Sequence, residues 1–404
     1  MRTWATVTLE DVTTEGSEGL RRGPFGGAIK KDSFVPDGYK IYEQRHAIYG
    51  DFEAGSYFIR DRHYRELKSF AVMPGDLIVS CSGTLGRVAM VPPGVKPGII
   101  NQALLRIRPR QDVVSSRFFK MLLETPEIQS RMFGSGGSAI KNVKPLSEIR
   151  KVEFQLPPMS EQRQIADVLD RAEVLRAKRR AALAQLDTLT QSIFLDLFGD
   201  PATNPKGWPR FTLGDLIVAG PQNGLYKPSA DYGSGTPILR IDAFYDGAVT
   251  KLRTLKRVRL PDKERELYEL RAEDIVVNRV NSMEYLGKSA LIPKLGEPIV
   301  FESNMMRFEV DGQRVEPRYV VQFLQSAFVK GQILTAAKHA VNQSSINQND
   351  VQNFRINVPP IAVQREFRRR ATAVEELMGT HEASLAKLDM LFAVLQHRAF
   401  RGEL

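Results

Sequence analysis

The chain repeats itself. Trp4-x-x-x-Thr8-Leu9-x-Asp11 returns as Trp208-x-x-x-Thr212-Leu213-x-Asp215, an offset of 204 residues. Asp76-Leu77-Ile78-Val79-Ser80 corresponds to Asp274-Ile275-Val276-Val277-Asn278 at an offset of 198, and Leu85-Gly86-Arg87 to Leu286-Gly287-Lys288 at 201. Leu156-Pro157-Pro158 matches Val358-Pro359-Pro360, Gln162-Arg163 matches Gln364-Arg365, and Ala184-Gln185-Leu186-Asp187 matches Ala386-Lys387-Leu388-Asp389, all at 202. Chance similarity does not stay collinear in this way. Solenoid repeats run about 20–50 residues, so a period near 200 is a duplicated domain pair. Divergence is greatest around 17–70 and 221–270. A shared frame with two different inserts points to two related sites with different targets.

Each copy ends in a long helical stretch. Pro157-Pro158 favour an extended approach, Ser160 is the expected N-cap, and no Pro or Gly interrupts the run to Phe198 before Gly199 and Pro201 stop it. Apolar residues recur every seven positions. One register holds Ile165, Ala172, Leu186 and Ile193, with Arg179 interrupting; the other holds Val168, Leu175, Ala182 and Leu189. The second copy gives Phe367, Val374, His381, Leu388 and Leu395, with Leu377, Ser384 and Leu391. These are coiled-coil seams. About 39 residues at ~1.5 Å rise give a helix of roughly 58 Å. One such helix alone would be marginal, so the two are expected to pair, antiparallel, as a spacer.

The remainder of each copy reads as α+β. Asp76–Ser80, Val88–Val91 and Leu104–Arg108 are expected strands, as are Asp274–Asn278, Ala290–Ile292 and Met305–Val310. Ser116–Phe133, broken at Pro126, and Glu316–Leu334 are expected helices. The expected division is a mixed α/β domain over 1–157, a helical spacer over 158–200, a second domain over 201–359 and a second spacer over 360–404.

The net charge of +10 suits a polyanionic partner. Cys81 is the single cysteine, which excludes an internal disulfide or a thiolate metal cluster. With no apolar run near the ~20 residues a bilayer requires and no signal-peptide pattern, the setting is expected to be cytoplasmic. The five histidines lack metal-ligand spacing. Gly287-Lys288-Ser289 resembles the end of a P-loop, but Ser282 stands where its first glycine belongs. No catalytic, cofactor-binding or metal residue is therefore assigned.

Two polar loops recur in both copies. The first contains Ser80, Ser82, Thr84 and Arg87 in one copy and Asn278, Arg279, Asn281 and Lys288 in the other. The second contains Lys141 and Asn142, and Gln343, Ser344, Ser345 and Asn347. Hydroxyls, amides and cations are the groups that hold phosphates and base edges, so these are the candidate DNA contacts.

Leu156-Pro157-Pro158-Met159-Ser160-Glu161-Gln162-Arg163-Gln164-Ile165, the heptads after it, the ending Arg398-Ala399-Phe400-Arg401-Gly402-Glu403-Leu404 and the segment Asp76–Pro92 together resemble the specificity subunit of type I restriction-modification systems. The resemblance implies two target recognition domains, each reading half of a bipartite double-stranded DNA site, with helical spacers setting the gap. It implies two methyltransferase subunits that methylate adenine, and restriction/translocation subunits. S-adenosylmethionine, ATP and Mg would belong to those partners and none to this chain. Val363 and Ala362 replace Glu161 and Ser160 in the second copy, which predicts a weaker N-cap there. The residues alone leave open a coiled-coil protein scaffold, or a stand-alone nuclease with an unrecognised site.

Overall fold

The computed structural model describes residues 4–25, 27–134, 143–340 and 343–403. The chain forms two compact units. One comprises Met1–Arg180 with Ser384–Leu404, the other Ala181–Ala383.

Both units are built on the same antiparallel ladder. In the first its order is Leu20–Arg22, Leu104–Ile107, Leu77–Ser80, Val88–Met90. In the second it is Ile217–Asn223, Met305–Val310, Ile275–Asn278, Ser289–Leu291, extended by Gly247–Val249 and Phe244–Tyr245. Leu77–Ser80, Leu104–Ile107 and Ile275–Asn278 are buried on both faces, while Met305–Val310 keeps Arg307 and Glu309 half-buried on one; the β-branched Ile78-Val79 and Ile275-Val276-Val277 suit such central strands. Each unit also has a second sheet containing a parallel pair, Ile41 opposite Ile99 and Ile238 opposite Val300.

The repeated aspartates hold the turns that lead into the central strands. Asp76 accepts from Met73 N at 2.8 Å and takes both ends of the Arg108 guanidinium at 2.8 Å. Asp274 accepts from Arg271 N at 2.8 Å and from Arg307 Nη1 at 3.3 Å. Burial raises the Asp274 pKa, and Arg307 and the Arg271 N–H counter it only in part. At the same turn Gly75 has φ +88°, and its counterpart Glu273 adopts φ +74° despite its side chain.

Met159–Phe198 and Ile361–Ala399 are single helices of 40 and 39 residues. The repeated glutamine is a clamp between helix start and domain. Gln162 accepts from Ser115 N at 2.8 Å and donates to Val113 O at 3.1 Å and Pro157 O at 2.9 Å. Gln364 repeats this with Glu316 N at 2.9 Å, Arg314 O at 3.3 Å and Pro359 O at 2.6 Å. Both are buried, so every polar group of the amide needs such a partner.

The first helix starts two residues earlier than a Ser160 N-cap predicts. It begins at Met159 with Gln162 N bonded to Pro158 O at 3.0 Å, so Ser160 lies inside the first turn. Glu161 has another task, accepting from Trp4 Nε1 at 3.1 Å. Trp208 instead donates to Phe198 O at 3.0 Å, so Val363 deprives no indole of its partner.

Half of the expected seam faces inward. Ile165, Leu186, Phe367 and Val374 are buried and Leu388 is half-buried. The companion register is displaced by one residue. Val168, Leu175, Leu189, Leu377 and Leu391 are exposed, and the inward positions are Gln162, Leu169, Arg176 and Leu183, then Ala371, Met378, Leu385 and Phe392. The physical reason is Arg176, which a hydrophobicity pattern rejects. Its Nε donates to Asp389 at 2.6 Å and its guanidinium lies 4.3 Å from the Phe392 ring. Arg176 beside Asp389, with Ile165 and Val168 lining one cavity with Ala399 and Gly402, makes the two helices antiparallel within the first unit. In the second unit Phe194 and Phe198 pack on Phe367 with centroids 5.6 Å apart.

Ser116–Leu123 and Pro126–Phe133 are separate helices, broken where the proline predicts. The matching stretch also breaks, into Pro317–Leu324 and Ala327–Ala336, without a proline; Ser326 caps the second piece. Among the described residues, no helix is long and apolar enough to cross a membrane. No group of three or more His, Cys, Asp or Glu is placed there to hold a metal.

Candidate nucleic-acid interface

In the first unit the loop leaves the ladder at Ser80 and returns at Arg87. Ser80 N donates to Arg87 O and Gly86 N to Ser80 O, both at 2.9 Å. The Ser80 hydroxyl donates to Thr84 O at 2.6 Å and accepts from Arg87 N at 2.9 Å. Ser80 is buried, so it shapes the loop from within. Ser82, Thr84 and Arg87 are exposed.

Gln44 holds that loop from the side. It starts the short helix Gln44–Tyr49. Its amide donates to Ser82 O and, at 3.3 Å, to Thr84 O, while Ser82 Oγ donates to Gln44 Oε1 at 3.1 Å. Gln44 lies in the most diverged stretch, where the repeat supplies no signal.

The second unit closes its loop identically, with Asn278 N on Lys288 O at 2.8 Å and Gly287 N on Asn278 O at 3.0 Å. Ser80 and Arg87 are seven positions apart, Asn278 and Lys288 ten, which accounts for the offset changing from 198 to 201. The added length forms the strand Val280–Asn281. It pairs with Gln343–Ser345, Val280 opposite Ser345 and Asn281 opposite Ser344. Lys338–Ala340 completes that sheet, and Ile346 N donates to Arg279 O at 2.9 Å. Tertiary structure thus joins the two polar loops read separately in the sequence.

Their side chains divide by role. Gln343 is exposed, Arg279, Asn281 and Ser345 are half-buried, and Ser344 is buried. Asn278 is buried, donating to Tyr285 O at 3.4 Å. Asn347 caps the helix Gln348–Asn353, accepting from Asp350 N at 3.0 Å. Lys141 and Asn142 lie outside the described residues.

Lys288 does not stand outward as its counterpart Arg87 does. Its ammonium donates to Ile241 O at 2.7 Å and lies 3.8, 4.8 and 5.4 Å from the ring centres of Tyr245, Phe244 and Tyr285. Burial pushes its pKa below the ordinary lysine value, against the pull of Asp242 and Asp246. The aromatic cage makes it a lock on the loop. No sequence pattern announces that cage, because Phe244 and Tyr245 come from the diverged insert.

Residues 1–185 and 205–389 each match the type I restriction modification DNA specificity domain. The chain belongs to this family. The two matched stretches begin 204 residues apart, as Trp4 and Trp208 do. The chain is 28% identical over 209 residues to the putative type I restriction enzyme MjaX specificity subunit of Methanocaldococcus jannaschii, covering 49% of this chain and 48% of that one. It is 26% identical over 286 residues to the type I restriction enzyme StySPI specificity subunit of Salmonella potsdam, covering 67% and 61%. The match thus spans between about half and three-fifths of these relatives' length. A solved chain described for complex assembly and conformational transition of the type I R-M system has the same fold. Its TM-score is 0.59 at 19% identity, over 99% of this chain and 98% of that one.

Proposed function

We propose that this chain is the DNA-recognition subunit of a type I restriction-modification complex and carries no catalytic site of its own. Residues 1–157 and 201–359 would each read one half of a bipartite site in double-stranded DNA, and the helical segments 158–200 and 360–404 would set the gap. The observation that carries the reading is the duplicated hairpin: one hydrogen-bonded closure in both units, holding loops of different length and content. A common scaffold with different loops is what two different half-sites require. Ser82, Thr84 and Arg87 in the first unit, and Arg279, Asn281, Gln343 and Ser345 in the second, are the contacts we favour; Lys141 and Asn142 stay in the candidate set.

Two methyltransferase subunits would dock on the apolar residues that the helices leave outward, among them Val168, Leu175 and Leu391. Those partners and the restriction/translocation subunits would bring S-adenosylmethionine, ATP and Mg, in the cytoplasm. The test is to express the chain with its methyltransferase, map methylated adenines, and then exchange residues 1–157 for those of a relative. One half of the target should change while the other half and the gap persist. An unchanged target would sink the proposal.

A further inference from the structure

A second duplicated feature stands beside the hairpins. In the first unit the strand Leu20–Arg22 runs into Gly23, Pro24 and Phe25; in the second, Ile217–Asn223 runs into Gly224, Leu225 and Tyr226. Gly23 N donates to Leu104 O at 2.9 Å and Gly224 N to Met305 O at 3.0 Å. A Cβ on Gly23 would lie 1.8 Å from Asn101 O, and one on Gly224 would lie 2.1 Å from Glu302 O. Backbone crosses backbone there, and only glycine fits. Every one of these pairs is separated by 201 residues, so the two turns are copies of one turn.

Two residues past each glycine a ring stands in solvent. Phe25 is 68% exposed and Tyr226 is 76% exposed. A single exposed aromatic needs no explanation. The same exposed ring on both copies of a turn, inside the stretches that diverged most, does.

Each ring emerges at the hairpin end of its ladder. Arg22 is opposite Leu105, itself opposite Val79, one residue before Ser80. Asn223 is opposite Met306, itself opposite Val277, one residue before Asn278. A guanidinium lies beside the first ring, and another is tied to the second turn. Arg22 Cζ lies 5.6 Å from the Phe25 ring centre. Arg279 Nη1 donates to Ser303 O at 3.1 Å, and Ser303 N donates to Leu225 O at 2.9 Å, next to Tyr226. Among the described residues, the buried Nε of Arg22 and of Arg279 has no hydrogen-bond partner.

From this we propose that Phe25 and Tyr226 are the stacking contacts of the two units. In the DNA complex each ring lies against a base face of the half-site its own unit reads, and the neighbouring arginine faces the phosphates. The inference rests on the DNA-reading proposal above. An aromatic face accepts any base, so the rings supply affinity and local unstacking while the hairpin loops carry sequence.

The test uses the chain with its methyltransferase partner and duplexes carrying the mapped target, with 2-aminopurine placed at successive positions. Phe25→Ala should lower affinity roughly tenfold, the order of one stacking contact. It should abolish the 2-aminopurine enhancement in one half-site, and Tyr226→Ala in the other. Phe25→Trp and Tyr226→Phe should keep both signals, and the methylated sequence should stay the same in all four. Wild-type affinity and fluorescence in the alanine variants would overturn the inference, as would an altered target, which would make the rings sequence readers. A wild-type complex that prefers its mapped target no more than random DNA would overturn the DNA-reading proposal, and this inference with it.

Discussion

The two hairpin loops share their closing hydrogen bonds and the Leu-Gly before the return strand, and differ in length and in the rest of what those bonds enclose. The first is short, leaves Arg87 exposed, and is held through Gln44. The second is longer, pairs with the strand Gln343–Ser345, and locks Lys288 among three rings. The same position thus carries an exposed cation in one copy and a structural one in the other. A duplicated frame fixes where a loop leaves and returns. The inserts around it decide which side chains remain available.

The widest difference between the units should appear at the aspartates behind the loops. Asp76→Ala removes two 2.8 Å contacts from Arg108, which keeps Glu18 and the Ala71 carbonyl, and should cost about 2–3 kcal/mol. Asp274→Ala should cost clearly less, because Arg307 gives it one contact, at 3.3 Å, where Arg108 gives Asp76 two at 2.8 Å. Chemical denaturation of each variant measures both, and equal losses would break the comparison.

The glutamine clamps should behave alike where the aspartates do not. Gln162→Leu and Gln364→Leu each leave a buried N–H and carbonyls without partners, at about 2–3 kcal/mol apiece. Hydrogen exchange should quicken at the start of the altered helix only.

Lys288→Met should destabilise the second unit by about 1–2 kcal/mol, and the loss should depend on pH. Burial holds the folded pKa of Lys288 below that of a lysine in the unfolded chain. Between those two values the unfolded chain binds more protons, so the lysine makes stability rise with pH across that window. The Met variant should lack that rise, read by thermal melting at increasing alkaline pH. Arg87→Met should shift stability by less than about 0.5 kcal/mol, while the salt dependence of DNA binding loses about one unit of slope.

The smallest effect on stability belongs to the outward helix positions. Leu175→Glu should melt within about 0.5 kcal/mol of wild type yet reduce recovery of the methyltransferase in co-purification. A strongly destabilised variant would instead return Leu175 to the seam.

Much of this was legible in the residues. Collinear matches revealed the duplication, and the Pro-Pro and Gln-Arg pairs marked where each long helix begins. One seam register was legible because Ile165, Leu186, Phe367 and Val374 are apolar and inward together. The other register is not legible, because 3-residue and 4-residue steps both land on apolar side chains and Arg176 occupies the true seam by pairing with Asp389. Ser80 and Asn278 belong to polar loops yet are buried, because polarity does not tell an outward hydroxyl or amide from one folding its own loop.

By itself the sequence determined the duplication, the helices and the end of each ladder from which the polar loops emerge, because those follow from periodicity and from residues that repeat. Tertiary structure alone decided that 280–281 and 343–345 form one sheet, that Lys288 is caged while Arg87 is exposed, and that Phe25 and Tyr226 project from equivalent turns. These depend on contacts between segments far apart in the chain, which no local pattern of residues records.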